Sequence, residues 1–124
     1  MNAQDPQPRQ RKGIYLLPNL FTTGTLFGVA KQSQVVGLRV LGCNGSGATS
    51  AIIEALDWLV VNAEYPAVAN MSLGGGNSQA LDNAVREVVS AGIPVVVAAG
   101  NSDANACGGS PNRVEEAITV GATD

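Results

Sequence analysis

Three short segments contain the residues of this sequence that could do chemistry. They are residues 42–47 (GCNGSG), 72–77 (SLGGGN) and 100–103 (GNSD). Glycines let the backbone approach another molecule closely, and a glycine run before a helix can bind an anion. A plainer interpretation is open for each: residues 74–76 form a tight turn, and Asn101 holds a left-handed turn after glycine.

Thiol and metal chemistry find little support in the sequence. The chain has no histidine and two cysteines, Cys43 and Cys107, which do not form a CxxC pair. Without histidine they have no partner of the usual kind for holding zinc. Two unpaired thiols and one mutual disulfide both remain open.

The elements that must position the three segments alternate along the chain. Runs of aliphatic and β-branched residues predict strands, and the first is expected to be buried. The strands are predicted at residues 34–41, 67–73, 95–99 and 117–122. Each of the first three ends at one of the chemically interesting segments.

Two helices are predicted between these strands from apolar residues at helical spacing. The first is capped by Thr49 or Ser50, and the second is capped by Ser78. The inward positions are Ile52, Leu56, Leu59, Val60 and Ala63 in the first helix, and Leu81, Ala84, Val85 and Val88 in the second. Asp82, Arg86 and Glu87 are expected to face outward.

The alternation of strands and helices predicts an α/β fold: a three-layer αβα arrangement around a parallel sheet. In such sheets, ligands bind at the carboxyl ends of the strands. The three segments are therefore expected to meet at one edge of the sheet.

Composition restricts the possible partners. The chain is 45 % apolar and 14 % charged, and Lys+Arg 7 against Asp+Glu 10 gives a net charge of −3. No basic cluster offers a nucleic-acid surface, and no apolar run reaches the roughly 20 residues of a membrane span. Residues 1–13 are predicted as a polar disordered tail without a signal-peptide core, and residues 14–31 are left open between strand and helix.

Five motifs carry a family resemblance, and they occur in this order: FGVAK, VVGLRVLGCNGSG, PAVANMSLGGG, VVVAAGNSDANAC and EAITVGATD. Over residues 28–124 the chain resembles the central part of the subtilases, the subtilisin-like serine proteases, and most closely their proteinase K branch. Residues 14–27 do not match the motifs. The resemblance implies an incomplete subtilisin-like peptidase domain.

The resemblance also implies roles for particular residues. An extended peptide would pair with two backbone edges, one formed by Asn44, Gly45, Ser46 and Gly47 and the other by Ser72, Leu73, Gly74 and Gly75. Ala98, Ala99 and Gly100 would line the pocket for the side chain before the scissile bond. The side chain of Asn101 would donate a hydrogen bond to the oxyanion; in subtilisin itself, loss of that donor costs about 100- to 1,000-fold in turnover.

The family's catalytic aspartate, histidine and serine have no counterpart in context here. Asp5 lies in the polar tail, and no serine stands in a GTSMATP-like segment. A calcium site implied by carbonyls near Glu115 and Ala117 lacks its aspartate, so no cofactor is expected, and both cysteines are expected to be unpaired.

The sequence therefore predicts a fragment of a secreted serine endopeptidase that binds an extended peptide or protein substrate and is inactive as it stands. Nucleic acid and membrane are not expected as partners, and exposed sheet edges suggest self-association. Two alternatives are a catalytically dead peptide-binding module and an unrelated small α/β domain that binds a nucleotide or anion. Against the last, neither GxxxxGKS nor GxGxxG occurs.

Overall fold

The computed structural model describes residues 12–15, 28–31 and 33–123. Five strands pair in parallel, in the order β2-β1-β3-β4-β5, and form one sheet. The strands are β1 (Lys12–Tyr15), β2 (Gln34–Gly37), β3 (Ala69–Met71), β4 (Val95–Ala98) and β5 (Ile118–Val120). The predicted α/β class and parallel sheet are confirmed.

Strand β1 starts earlier than the predicted division of the chain allows. It begins at Lys12, inside the tail predicted for residues 1–13, and it lies between β2 and β3. A strand of four residues is too short to show an alternation of apolar and polar residues, so the pattern did not separate it from the polar stretch before it. The rest of the predicted tail, residues 1–11, lies outside the described residues, as do residues 16–27.

Strand β2 is shorter and more exposed than predicted. It ends at Gly37 rather than at residue 41, and three of its four residues are exposed. The expectation of a buried strand is wrong because, within the described part of the chain, β2 is at the edge of the sheet and pairs only with β1. Its aliphatic residues gave no sign of that position.

Two helices connect the strands: α1 (Thr49–Asn62) and α2 (Gln79–Ser90). Helix α2 is capped as predicted, because the Ser78 hydroxyl accepts a hydrogen bond from the Leu81 N–H at 3.3 Å. The capping prediction for α1 is wrong. Its N-cap is Ala48, which has no side chain to accept such a bond, and Thr49 is already helical.

The core lies between one face of the sheet and the two helices. The connections from β2 to β3 and from β3 to β4 cross the sheet in the same direction, so right-handed crossovers place α1 and α2 on the same face, where they contact each other. Strand register directs Ala69, Met71, Val95 and Val97 toward that face. They pack with helix residues that are fully buried, among them Leu56, Leu59, Val85 and Val88.

One charged residue of α2 points the opposite way from the prediction. Asp82 was expected to face solvent, but it is 1 % exposed and accepts a hydrogen bond from the Arg113 guanidinium at 2.6 Å. Periodicity missed this because the partner comes from a loop 31 residues further along the chain. Arg86 and Glu87 do lie toward the surface, as half-buried and exposed residues.

The second face of the sheet has apolar residues in contact with solvent. Strand register places Ile118 and Val120 beside Val96 and Ala98 on this face, and Ile118 and Val120 are more than half exposed.

Helix α1 also has exposed apolar residues. Trp58 is half-exposed at 43 % and Val60 is 37 % exposed, although Val60 was predicted to face inward. Across the described ranges, no helix has the length and apolar character needed to cross a membrane.

Candidate functional site

The sheet has a reversal of strand order at β1. From β1 the chain first goes to β2 on one side, and it then crosses to β3 on the other side. Where the direction of winding changes in this way, the loops at the carboxyl ends separate and leave a crevice. The loop that follows β3, next to this reversal, is therefore an expected wall of a binding site, and the loop that follows β2 lies at the same edge of the sheet.

A cleft of about 410 Å³ lies between these two loops. Its volume is within the usual range for ligand sites. Seven residues predicted to bind substrate line it: Gly45, Ser46, Gly47, Ser72, Leu73, Gly74 and Gly75. The structure thus brings two of the three predicted segments together around one opening.

The first wall, residues 42–47, is a turn closed by its own backbone. The Gly42 N–H donates to the Ser46 carbonyl at 2.9 Å, and Gly45 has a φ of 77°, in the left-handed region. Asn44 does not line the cleft; its side-chain oxygen accepts from the Ser46 N–H at 3.0 Å and holds the turn. Gly47 must be glycine, because a Cβ there would be 2.1 Å from the Val40 carbonyl oxygen.

The second wall, residues 72–76, has one of its two edges occupied. The Gly75 N–H donates to the Ser110 carbonyl at 3.0 Å, and the Ser110 N–H donates to the Gly75 carbonyl at 3.3 Å. Gly75 therefore has no free N–H for a ligand, although it was predicted to bind one. In an extended chain, neighbouring residues direct their backbone groups to opposite sides, so Gly74 is the residue with groups directed away from Ser110.

Ser110 is a residue of the site that the sequence reasoning missed. It lines the cleft and is 0 % exposed. Its hydroxyl accepts from the Ser78 N–H at 2.9 Å and donates to the Ser78 carbonyl at 3.4 Å. The only signal in the sequence, a serine before proline in a polar stretch, is typical of an ordinary turn.

The third predicted segment follows β4 at the same edge of the sheet, next to the end of β3. Ala98 and Ala99 are partly buried, Gly100 and Asn101 are exposed, and none of the four lines the cleft. The left-handed residues here are Gly100 (φ 105°) and Asp103 (φ 47°). Asn101 is thus not held in a left-handed turn, which removes that plainer interpretation of it.

The loop after β4 is fixed by hydrogen bonds at both of its ends. The Ala99 N–H donates to the Val120 carbonyl at 2.9 Å, and the Asn112 side chain donates to the Ala99 carbonyl at 3.3 Å. Thr119 of β5 in turn donates to the Asn112 carbonyl at 3.1 Å. A short 3₁₀ turn, Ala106–Gly108, lies within the loop.

The cysteines are free and exposed, so the mutual disulfide is wrong and the unpaired state is confirmed. Among residues 28–31 and 33–123, no three acidic, cysteine or histidine side chains are close enough to hold a metal.

Comparison with known proteins gives a consistent result. The model of peptidase S8, the subtilase family, matches residues 10–124, which includes the stretch 14–27 predicted as divergent. The chain is 56 % identical over 100 residues to alkaline serine exoprotease A of Vibrio alginolyticus, and 58 % identical over 100 residues to an extracellular serine proteinase of a Thermus species. It is also similar to the crystal structure of a cold-adapted subtilisin-like serine proteinase, with 53 % identity and a TM-score of 0.80.

These matches cover most of this chain and a minor part of each relative. The alignments include 81 % of the chain with each of the two bacterial enzymes, and 19 % and 24 % of those enzymes. The structural match includes 82 % of the chain and 37 % of the cold-adapted proteinase. The chain thus spans about a fifth to a quarter of the length of these two sequence relatives.

Proposed function

This chain belongs to the subtilase family of serine proteases, and on that basis we propose that it supplies the peptide-binding walls and one oxyanion donor of a serine endopeptidase. The observation that supports this proposal is the cleft between residues 45–47 and 72–75. Both walls are glycine-rich backbone, which suits a ligand recognised by its own backbone.

The substrate is an extended peptide that enters the cleft as a strand between the two walls. Recognition by main-chain hydrogen bonds makes affinity largely independent of sequence, while pockets for alternate side chains provide selectivity. On the second wall, Ser72 and Gly74 make the main-chain contacts, because the Gly75 N–H is already bonded to Ser110. Ala98, Ala99 and Gly100 border the side chain that precedes the scissile bond.

Asn101 acts later in the reaction than the cleft walls do. Its amide donates to the negative oxygen of the tetrahedral intermediate, a charge that the bound peptide does not yet have. An interaction made only with the transition state raises the rate without tightening substrate binding. The exposed position of Asn101 at the end of β4 leaves its amide free to make that contact.

The 124 residues alone bind a peptide without cleaving it. Acyl transfer to serine needs a base that accepts the hydroxyl proton, and this chain has no histidine. General-base chemistry in a complete enzyme would come from outside these residues. Since two relatives are named as an extracellular proteinase and an exoprotease, we place the parent enzyme outside the cell.

One alternative from the sequence, an unrelated nucleotide- or anion-binding domain, is wrong because the family match covers residues 10–124. The other, a peptide-binding module without catalysis, uses the same cleft. Such a module would bind peptides in the same way. The two functions are distinguished by testing whether the complete protein hydrolyses the peptide.

Fluorescence anisotropy tests the proposal on the purified chain. A fluorescein-labelled hexapeptide of alanine and leucine is titrated with protein, and a chromogenic peptide anilide is incubated in parallel. We expect saturable binding, competed by unlabelled peptide, with no release of the chromophore. Absence of binding up to millimolar protein would contradict the binding role, and steady turnover sensitive to a serine-protease inhibitor would contradict the predicted inactivity.

A further inference from the structure

We infer that Ser110 is a positioning residue that fixes the second wall of the cleft relative to helix α2. It does so through two separate sets of hydrogen bonds, one from its backbone and one from its side chain. Its action on a bound peptide rests on the proposed function, whereas its action on the wall does not.

The backbone of Ser110 holds the wall itself. Its N–H and carbonyl form the two hydrogen bonds to Gly75, at 3.3 and 3.0 Å, as an antiparallel bridge. Gly109, the residue before Ser110, also lies close to the wall, since a Cβ on it would be 2.7 Å from the Gly75 carbonyl oxygen. The wall therefore contacts this loop closely at Gly75.

The side chain of Ser110 connects that point to α2. Its hydroxyl both accepts from and donates to the backbone of Ser78, the N-cap residue of the helix. Helix α2 is in turn anchored in the core by Leu81, Val85 and Val88, which are at most 4 % exposed. The chain itself joins the wall to the core, since residues 72–76 run from β3 to the N-cap of α2. The buried hydroxyl of Ser110 adds a second link, from the loop that the wall contacts to the same N-cap.

This arrangement has a consequence for the peptide. Ser110 is hydrogen-bonded to the backbone of Gly75 on one side of the segment. The backbone N–H and carbonyl of Gly74 therefore point to the opposite side, where the cleft is open. Without the hydroxyl, the Ser78 N–H loses its partner and the wall is free to shift. A wall that moves must be ordered again each time a peptide binds, which weakens affinity.

The test compares Ser110→Ala with Thr119→Val, a matched loss of one hydroxyl on a strand that contacts the same loop but not the wall. Amide hydrogen exchange of Gly75 and the dissociation constant of the labelled hexapeptide are measured for both. For Ser110→Ala we expect Gly75 exchange to rise and peptide binding to weaken, each by about tenfold, as for one lost hydrogen bond. Thr119→Val should leave both unchanged.

Unchanged Gly75 exchange in Ser110→Ala, or an equal rise in Thr119→Val, would overturn the inference. If the unaltered chain binds no peptide, the proposed function fails while the exchange measurement still decides the role of Ser110. Should Ser110→Ala not fold, Ser110→Cys replaces it, since a thiol keeps the side-chain shape with a weaker hydrogen bond. It must then show a smaller rise in Gly75 exchange, and no rise would overturn the inference.

Discussion

At the scale of single residues, Gly74 is a position where a side chain should affect peptide binding and not the fold. Among the described residues, a Cβ on Gly74 would meet only the Ser110 carbonyl oxygen, at 3.9 Å, which is ordinary contact. The fold therefore has room for a side chain there, whereas the cleft does not if a peptide must approach the backbone. Gly47 is the opposite case, because a Cβ there collides with Val40 before any peptide arrives.

Gly74→Val should weaken peptide binding, with at least about a tenfold rise in the dissociation constant, because the branched side chain displaces the peptide backbone. Gly37→Val is the matched control. Gly37 is exposed on β2, and a Cβ added to it would have no atom of a described residue within 4 Å. Anisotropy titrations of both variants check this, and equal loss in both would show that the effect is not specific to the cleft.

Asn101→Ala should leave the dissociation constant of the peptide within about twofold of the unaltered value, since the amide acts on charge that develops only in the reaction. In a complete enzyme the same substitution should reduce kcat and spare KM. A large loss of peptide affinity in the 124-residue chain would place Asn101 in ground-state binding instead.

The two thiols give a simpler prediction. Cys43 and Cys107 are both free and exposed, and the Arg39 guanidinium is 3.5 Å from the Cys43 sulfur. Titration of the folded protein with a chromogenic thiol reagent should therefore detect both thiols without denaturant. Detection of none before reduction and both after it would indicate a disulfide.

At the scale of elements, the buried pair of Asp82 and Arg113 joins α2 to the loop that contains Ser110. Asp82 is 2 % exposed at its side chain and Arg113 is 27 % exposed. The second oxygen of Asp82 is buried and has no hydrogen-bond partner within the described residues. Removing the guanidinium would leave a carboxylate in the core without its counter-charge, which is strongly unfavourable.

Arg113→Met should lower the free energy of unfolding by about 3 kcal/mol, as for loss of one partner of a buried pair. Arg86→Met is the control, because its pair with Glu116 lies at the surface, at 37 % and 49 % exposure, and such pairs contribute about 0–1 kcal/mol. Urea unfolding followed by circular dichroism measures both. Similar losses in the two variants would contradict a special role for the buried pair.

The elements themselves could largely be predicted from the sequence. Apolar spacing located both helices, and the glycine clusters located the two loops that line the cleft. Burial was harder, because it depends on neighbours in space: β2 is exposed because it is an edge strand, and Asp82 is buried because Arg113 reaches it. Ser110 was missed for the same reason, since both of its partners precede it by more than 30 residues.

At the scale of the whole molecule, one face of the sheet is covered by helices and the other exposes apolar residues within the described part of the chain. Ile118 and Val120 are 56 % and 53 % exposed on an edge strand. Apolar edge strands pair readily with other chains, and lysine on such a strand opposes pairing. Self-association of the 124-residue chain is therefore expected.

Ile118→Lys should shift the chain toward monomer, while Glu87→Lys, which changes charge on the exposed side of α2, should not. Sedimentation velocity over a range of protein concentrations measures the distribution. A chain that is monomeric at every concentration, or an equal effect of both substitutions, would contradict association through this strand.

The function proposed for this molecule depends on an extended peptide lying between residues 45–47 and 72–74. Intermolecular nuclear Overhauser effects between a ¹³C-labelled peptide and the protein's backbone amides detect that placement without a variant. We predict contacts from the peptide backbone to Gly45 or Ser46 on one side and to Gly74 on the other. Contacts confined to the exposed sheet face around Ile118 and Val120 would show that the peptide binds elsewhere.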